Sequence, residues 1–308
     1  MDANLNAHES LHSPNAKYKA MKTKIATLMA VYHGDDPQAL ATALESVLGQ
    51  QFTDDVESRL YVAVDGPVQT DINRVISEYE KYIYRVYRLE RNCGLAASLN
   101  ALIKELGDEE FVFRMDADDR SHIRRYQAQL DYFRQHPAID ILGTDIVEVD
   151  IENGTRRLIS FCRGPDDALA RLCWRVPVAH PTVCFRRPVL DCVGGYPTSG
   201  TNEDIALWIH CAQKGFRFDN IHQPLLEFTI CPNFWRRRSI SKAVSEMRCY
   251  ITGIWAMHGF TWKYVLPVLR FALRIAPQWL SRLVYGSSIR RPVKQTPNKT
   301  EHIRPTRG

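Results

Sequence analysis

The chain predicts an α/β fold with a mostly parallel central sheet flanked by helices, on three observations. Apolar runs of strand length alternate with helix-period segments at roughly one unit per 25–30 residues, the rhythm of a parallel sheet. Those runs stop in turns rich in acids and glycine. The 308 residues are 45% hydrophobic and 24% charged, close to an ordinary globular domain, which excludes disordered, collagen-like and coiled-coil chains.

The elements follow in order. KIATLMAVY (24–32) is a near-continuous apolar strand ending in the turn-like HGDDP. Asp36 caps a helix with Pro37 at its first position, and the pattern runs to Gly49. RLYVAVDG (59–66) is a second strand, 69–81 a helix, and IYRVYRLE (83–90) a third strand. The loop RNCG opens the helix LAASLNALIKEL (95–106), and FVFRMDADD (111–119) is a fourth strand stopping in acids. Ligands of such sheets bind at the carboxyl ends of the strands, where Asp65 and the Asp116–Asp119 cluster fall. The pattern then changes. Strands at 139–150 and 182–187 are separated by a long mixed stretch and followed by a helix at about 203–215. No internal repeat or low-complexity tract occurs.

Charge divides the chain unevenly. Residues 1–231 carry 25 Lys and Arg against 33 Asp and Glu, whereas residues 232–308 carry 15 against 2, a net +13. A basic tail on an acidic body implies an anionic partner. From 236 to about 285 the sequence reads as helices in which Lys263, Arg270, Arg274 and Arg282 sit among bulky apolar residues. Such a segment either lies in a bilayer interface, its basic face reaching anionic headgroups, or packs with that face solvated. The first reading is favoured. No nucleic-acid module accompanies the charge, so no nucleic-acid partner is expected. No run approaches the roughly 18–20 apolar residues that span a bilayer. The first twenty residues lack an apolar segment, so the expectation is no secretory signal and a cytoplasmic protein. Eight scattered cysteines without a Cys-x-x-Cys read as buried small hydrophobes.

Asp116-Ala117-Asp118-Asp119 is the strongest chemical signal. Two carboxylates one residue apart at a strand end can converge on a hard divalent cation, Mg²⁺ or Mn²⁺, shared with substrate phosphates. Asp65 is a second strand-end acid, able to hold a base or ribose hydroxyl or simply to make a turn before Gly-Pro. No glycine-rich dinucleotide fingerprint or P-loop is present, which counts against nicotinamide dehydrogenases and P-loop NTPases. Glu203-Asp204 opens a helix, where acids are also plain dipole complements. His180 precedes a strand, and a lone histidine there is more often structural.

Taken in order, ATLMAVYHGD, VAVDGP, RNCGLAASLNALI, FVFRMDADD, the HPTVCFRR…VGGY block and NEDIALW resemble the family 2 glycosyltransferases of the GT-A fold over about residues 24–230. The sub-group most resembled comprises bacterial β-1,3-galactosyltransferases of exopolysaccharide and O-antigen assembly. The resemblance implies a GT-A domain at 23–232, with a nucleotide half (about 23–120) and an acceptor half (about 121–232). Around it lie a disordered extension at 1–22, an amphipathic membrane-associating region at 233–286 and a basic disordered tail at 287–308. It implies a nucleotide-sugar site of Val31, Tyr32, Asp65, Asn92, Gly94, Asn100, Asp116 and Asp118, with Asp118 and Asp116 on the metal. Asp204 would be the general base, and Glu203, His180 and Trp208 would lie on the acceptor side. The implied reaction is inverting transfer of galactose from a UDP-sugar to a polyprenyl-diphosphate-linked glycan at the inner membrane face. UDP-glucose, UDP-GlcNAc or dTDP-rhamnose as donor, or a non-catalytic subunit, remain alternatives. His33, Ile123 and His210 depart from the family pattern, whereas Arg125 keeps it.

Overall fold

The computed structural model describes residues 22–53, 55–198, 202–230, 240–275 and 290–292. All but the last residue of the expected terminal extension at 1–22 and most of the basic tail at 287–308 lie outside the described residues. The nucleotide half runs β1 (Thr23–Tyr32), α1 (Pro37–Leu48), β2 (Val56–Asp65), α2 (Thr70–Tyr79), β3 (Arg85–Arg88), α3 (Leu95–Lys104) and β4 (Phe111–Asp116). Next come β5 (Arg120–Ser121), α4 (Arg125–Gln135), β6 (Ile141–Asp150), β7 (Thr155–Ile159), α5 (Gly164–Arg171), β8 (Cys184–Arg186), α6 (Arg187–Val193), α7 (Glu203–Gln213) and β9 (Phe218–Ile230). Two helices, α8 (Ile240–His258) and α9 (Val265–Ile275), and a short β10 (Arg290–Pro292) complete the described chain.

The strands form one sheet in the order β10-β7-β6-β8-β4-β1-β2-β3, with β9 beside β6 and β5. The run β4-β1-β2-β3 is wholly parallel. Beyond β4 the sheet continues antiparallel through β8, β6 and β7, with β9 returning parallel to β6.

The near-continuous apolarity of β1 reflects burial of both its faces. Alternation sends Ile25, Met29 and Val31 into one core with Leu40 and Leu44 of α1 and Ile72 of α2. Ala26 and Leu28 enter a second core with Leu99 of α3 and Trp208 of α7. Helix α1 starts as its sequence dictates: the Asp36 carboxylate accepts the Ala39 N–H at 2.9 Å, Pro37 follows, and the Gly49 N–H closes the end on Glu45 O.

Two expectations are corrected. Among the cysteines, Cys162, Cys173, Cys184 and Cys211 are buried, but Cys93 and Cys192 are exposed. Arg270 and Arg274 do not present an outward basic face. Both turn inward and pair with Glu246 of α8, a residue 7% exposed, because a carboxylate buried between the two helices needs cations beside it.

Candidate active site

The parallel strands deliver their ends to one edge. In register, Tyr32 lies opposite Asp65, and Ala30 opposite Asp116. Off the end of β4 come Asp116, Asp118 and Asp119, each with an oxygen within 4.8 Å of the others. Asp119 is 1% exposed; one of its oxygens accepts the Thr229 N–H of β9 at 3.0 Å, and the other has no hydrogen-bond partner among the described residues. Burial, then the neighbouring Asp116 and Asp118, push its carboxyl well above the usual carboxylate range. A buried oxygen left unsatisfied beside two more carboxylates is what a hard divalent cation satisfies, so this donor set fits Mg²⁺ or Mn²⁺. The sequence reading singled out Asp116 and Asp118. Asp119 adds a third oxygen donor, visible in the same DADD but indistinguishable there from a turn acid.

Strand β4 also contributes a residue the sequence reading passed over. Arg114 is 2% exposed and ion-pairs with Asp116, while its Nε and Nη1 find no hydrogen-bond partner among the described residues. Its charge also bears on Asp119, Tyr196, Asp204 and His180. A lone arginine in an apolar strand carries no sequence signal separating it from a residue on a solvated face.

Asp65 builds a loop. Its two oxygens accept the backbone N–H groups of Cys93 at 2.7 Å and Gly94 at 2.9 Å, and Asn92 Nδ2 reaches its carbonyl at 3.4 Å. Gly66, at φ +80°, lets residues 91–92 pass so close that a Cβ would meet the Asn92 nitrogen at 2.4 Å. Asp65, Asn92 and Gly94 are thereby brought together, next to Tyr32, whose N–H is held by Asp35 at 2.9 Å.

The side chains of three expected residues are engaged in the fold. The Val31 side chain is wholly buried in the core, so only its backbone is offered to a ligand. Asn100 spends its amide on the VGGY loop, donating to Tyr196 O and accepting from Tyr196 N, each at 2.7 Å. Trp208 is 0% exposed, stacked on Phe185 and edge-on to Phe218 and His180, so its side chain packs the core. The periodicity of NEDIALW marked a helix without saying which face was buried.

His180 lies 2.9 Å from Tyr196 Oη, and burial followed by the Arg114 charge holds its pKa well below the ordinary histidine value, so the ring is neutral. Glu203 and Asp204 occupy the first turn of α7, both partly open to solvent. Burial, then the Glu203 carboxylate, push the Asp204 carboxyl up to about 6, against a smaller opposing pull from the Ile205 N–H and Arg114. Arg125, packed beneath β4 and 0% exposed, donates to Pro181 O and Arg114 O at 2.8 and 3.1 Å, and so holds the strand rather than a ligand.

An α/β sheet with an acidic cluster at its parallel strand ends, linked through the Arg114 charge to a helix that opens on a carboxylate of raised pKa, suits a transferase acting on phosphorylated donors. Residues 27–194 match glycosyl transferase family 2, and the chain belongs to that family. It is a glycosyltransferase. It is 28% identical over 271 residues to the Escherichia coli UDP-Gal:alpha-D-GlcNAc-diphosphoundecaprenol beta-1,3-galactosyltransferase, covering 87% of this chain and 97% of that protein. The fold is similar to that of S. aureus TarS 1–349 in complex with UDP-GlcNAc, with a TM-score of 0.56 at 15% identity over 84% of this chain and 83% of that one. It is also similar to the mannosyltransferase PcManGT from Pyrobaculum calidifontis, in complex with GDP-Man and Mn²⁺, with a TM-score of 0.55 at 14% identity over 85% and 79% of the two chains. Among the described residues no helix is long and apolar enough to cross a membrane.

Proposed function

We propose that the chain transfers galactose, with inversion, from UDP-galactose to a hydroxyl of a polyprenyl-diphosphate-linked glycan, working as a peripheral enzyme at the inner face of an anionic membrane. The observation that carries this reading is Arg114, whose charge bears both on the Asp116–Asp119 cluster and on Asp204. The acidic cluster suits a nucleoside diphosphate, and Asp204 suits a hydroxyl that must lose a proton. The galactosyltransferase named above supports the donor and the acceptor class.

The loop built by Asp65, Asn92 and Gly94 lies beside Tyr32 and receives the uridine over its backbone. Asp118, with Asp116 and Asp119, would hold a divalent ion, which neutralises charge gathering on the departing diphosphate. Arg114 ion-pairs with Asp116 and would hold that carboxylate in place at the end of β4. A sugar hydroxyl is a poor nucleophile near neutral pH, so Asp204 accepts its proton as the oxygen attacks the anomeric carbon. Such a base contributes about 10²–10⁴-fold. The bond to the diphosphate breaks with its electron pair leaving on UDP, and one in-line displacement turns an α-linked donor into a β product.

Calorimetry of UDP in Mn²⁺ and then in excess EDTA tests the donor half. Binding should be present in Mn²⁺, lost in EDTA, and weakened at least tenfold in Asp118→Asn, where a metal-bridging charge has gone. No binding in Mn²⁺ would rule out UDP-galactose as donor.

A further inference from the structure

Among the described residues, the last two helices expose apolar surface where a soluble chain places charge. In α9 the solvent-facing residues Val265, Val268, Leu269 and Ile275 recur at helical spacing, and each is 48–61% exposed. Two aromatic residues lead into this stripe, Phe260 at 95% exposure and Trp262 at 72%. The arginines of α9 lie on the opposite side, bound to Glu246. The outward face of α9 is therefore the apolar one.

The occupant follows from charge. Lys242 and Arg248 stand on the exposed side of α8, and residues 232–308 carry 15 Lys and Arg against 2 Asp and Glu. A second copy of this face, or the chain's own remaining basic residues, would bring positive charge against positive charge. A surface of anionic lipid brings the complement, and aromatic residues beside aliphatic ones suit the headgroup boundary.

The geometry points to α9 lying in the plane of an anionic bilayer, with Phe260, Trp262 and the Val265–Val268–Leu269–Ile275 stripe inserted at the acyl boundary. This rests on the membrane-held acceptor proposed above and gives it a docking face. That face is tied to the site. Helix α8 packs so closely on α7 that a Cβ on Gly253 would meet Ile209 at 2.4 Å, and Asn202, just before Asp204, donates to Ser245 of α8 at 2.9 Å. Insertion of α9 would thus set the height of the Asp204 helix above the lipid.

The full chain is mixed with vesicles of phosphatidylethanolamine and phosphatidylglycerol, or of phosphatidylcholine alone, and bound protein is separated by flotation. Wild type should float with the anionic vesicles. The double variant Val265→Glu, Leu269→Glu, with a melting curve as the check on fold, should bind them about tenfold or more weakly. A second pair, Phe260→Ser with Trp262→Ser, should fall in the same direction. Equal flotation of wild type and both pairs would overturn the docking face. So would a wild-type dimer, in ultracentrifugation without lipid, that the Glu pair makes monomeric. UDP titration of the same proteins separates the two readings: vesicle binding without UDP binding keeps the face and removes the donor assignment, and the converse keeps the site and removes the face.

Discussion

Asp204 holds its charge at a cost to the fold. Burial and then the Glu203 carboxylate bear on it, opposed by the Ile205 N–H and the Arg114 charge, and its carboxyl stands near 6 rather than at the ordinary 3.8. A carboxyl raised by folding binds its proton more tightly in the native state, so the penalty on the charged form is fully present above about pH 6 and absent below about pH 3.8. Asp204→Asn should therefore be more stable than wild type by about 1–2 kcal/mol near pH 7.5, after allowance for its partial exposure, and no more stable near pH 4. Urea melts at the two pH values measure this, and a gain of the same size at both would remove the electrostatic cause. The same variant should bind UDP as wild type does and lose transfer, while the wild-type rate falls as pH drops through about 6. An active Asp204→Asn enzyme would sink the base assignment. Arg114 predicts the reverse sign. Replacing it by Met leaves Asp116 and the buried Asp119 without that cation and should cost about 3 kcal/mol in the same melts. Of this pair only Asp204 was singled out from the sequence, and then through the family resemblance of NEDIALW, because an acid opening a helix is by itself equally a dipole complement. A buried arginine inside FVFRMD is defined only by what folds over it.

At the scale of elements, legibility follows how local the cause is. Helix α1 could be read from Asp36, Pro37 and Gly49 because cap and stop are adjacent in the chain, and β1, β2 and β4 from apolar runs buried on both faces. Strand β9 could not. Its 13 residues contain Pro224 and the stretch NIHQP, which interrupt a strand pattern, and they stay in the sheet because β9 bulges there: Thr144, Asp145 and Ile146 of β6 face Ile221, Pro224 and Leu226 in turn, leaving the intervening β9 residues unpaired with β6. That unread strand supplies the N–H that fixes Asp119. The VGGY loop was read as a family mark, whereas its role is mechanical: Gly195, at φ +96°, leaves room for the Asn100 amide that clamps Tyr196. The loop beside Asp65 makes the sharper test. Gly66→Ala adds a Cβ that meets backbone, which cannot swing aside, at a left-handed φ. It should cost about 1–3 kcal/mol and weaken UDP binding through the displaced Asn92–Gly94 loop. A melt and a titration indistinguishable from wild type would show that the loop does not need this approach.

Across the whole molecule, an acidic body carries a basic, apolar-faced end, and the two work at different ranges. Charge acts over roughly 10 Å at 0.1 M salt, so in the proposed docking it would orient the chain toward an anionic surface, whereas the α9 stripe would act only on contact. Salt should therefore separate the steps. Raising ionic strength from about 0.05 to about 0.5 M should lower kcat/KM for an acceptor embedded in anionic vesicles several-fold, and leave transfer to a short-chain, water-dispersed acceptor nearly unchanged. The inward pairing of Arg270 and Arg274 with Glu246 makes the expectation specific. Those two charges are spent inside the protein, so the salt-sensitive attraction must come from cations such as Arg248 on the exposed side of α8. Arg248→Gln should flatten the salt dependence, whereas Val265→Glu with Leu269→Glu should lower vesicle-acceptor transfer at every salt concentration. If salt depresses both acceptors equally, it acts on the nucleotide site instead, and the division of labour between charge and apolar contact fails.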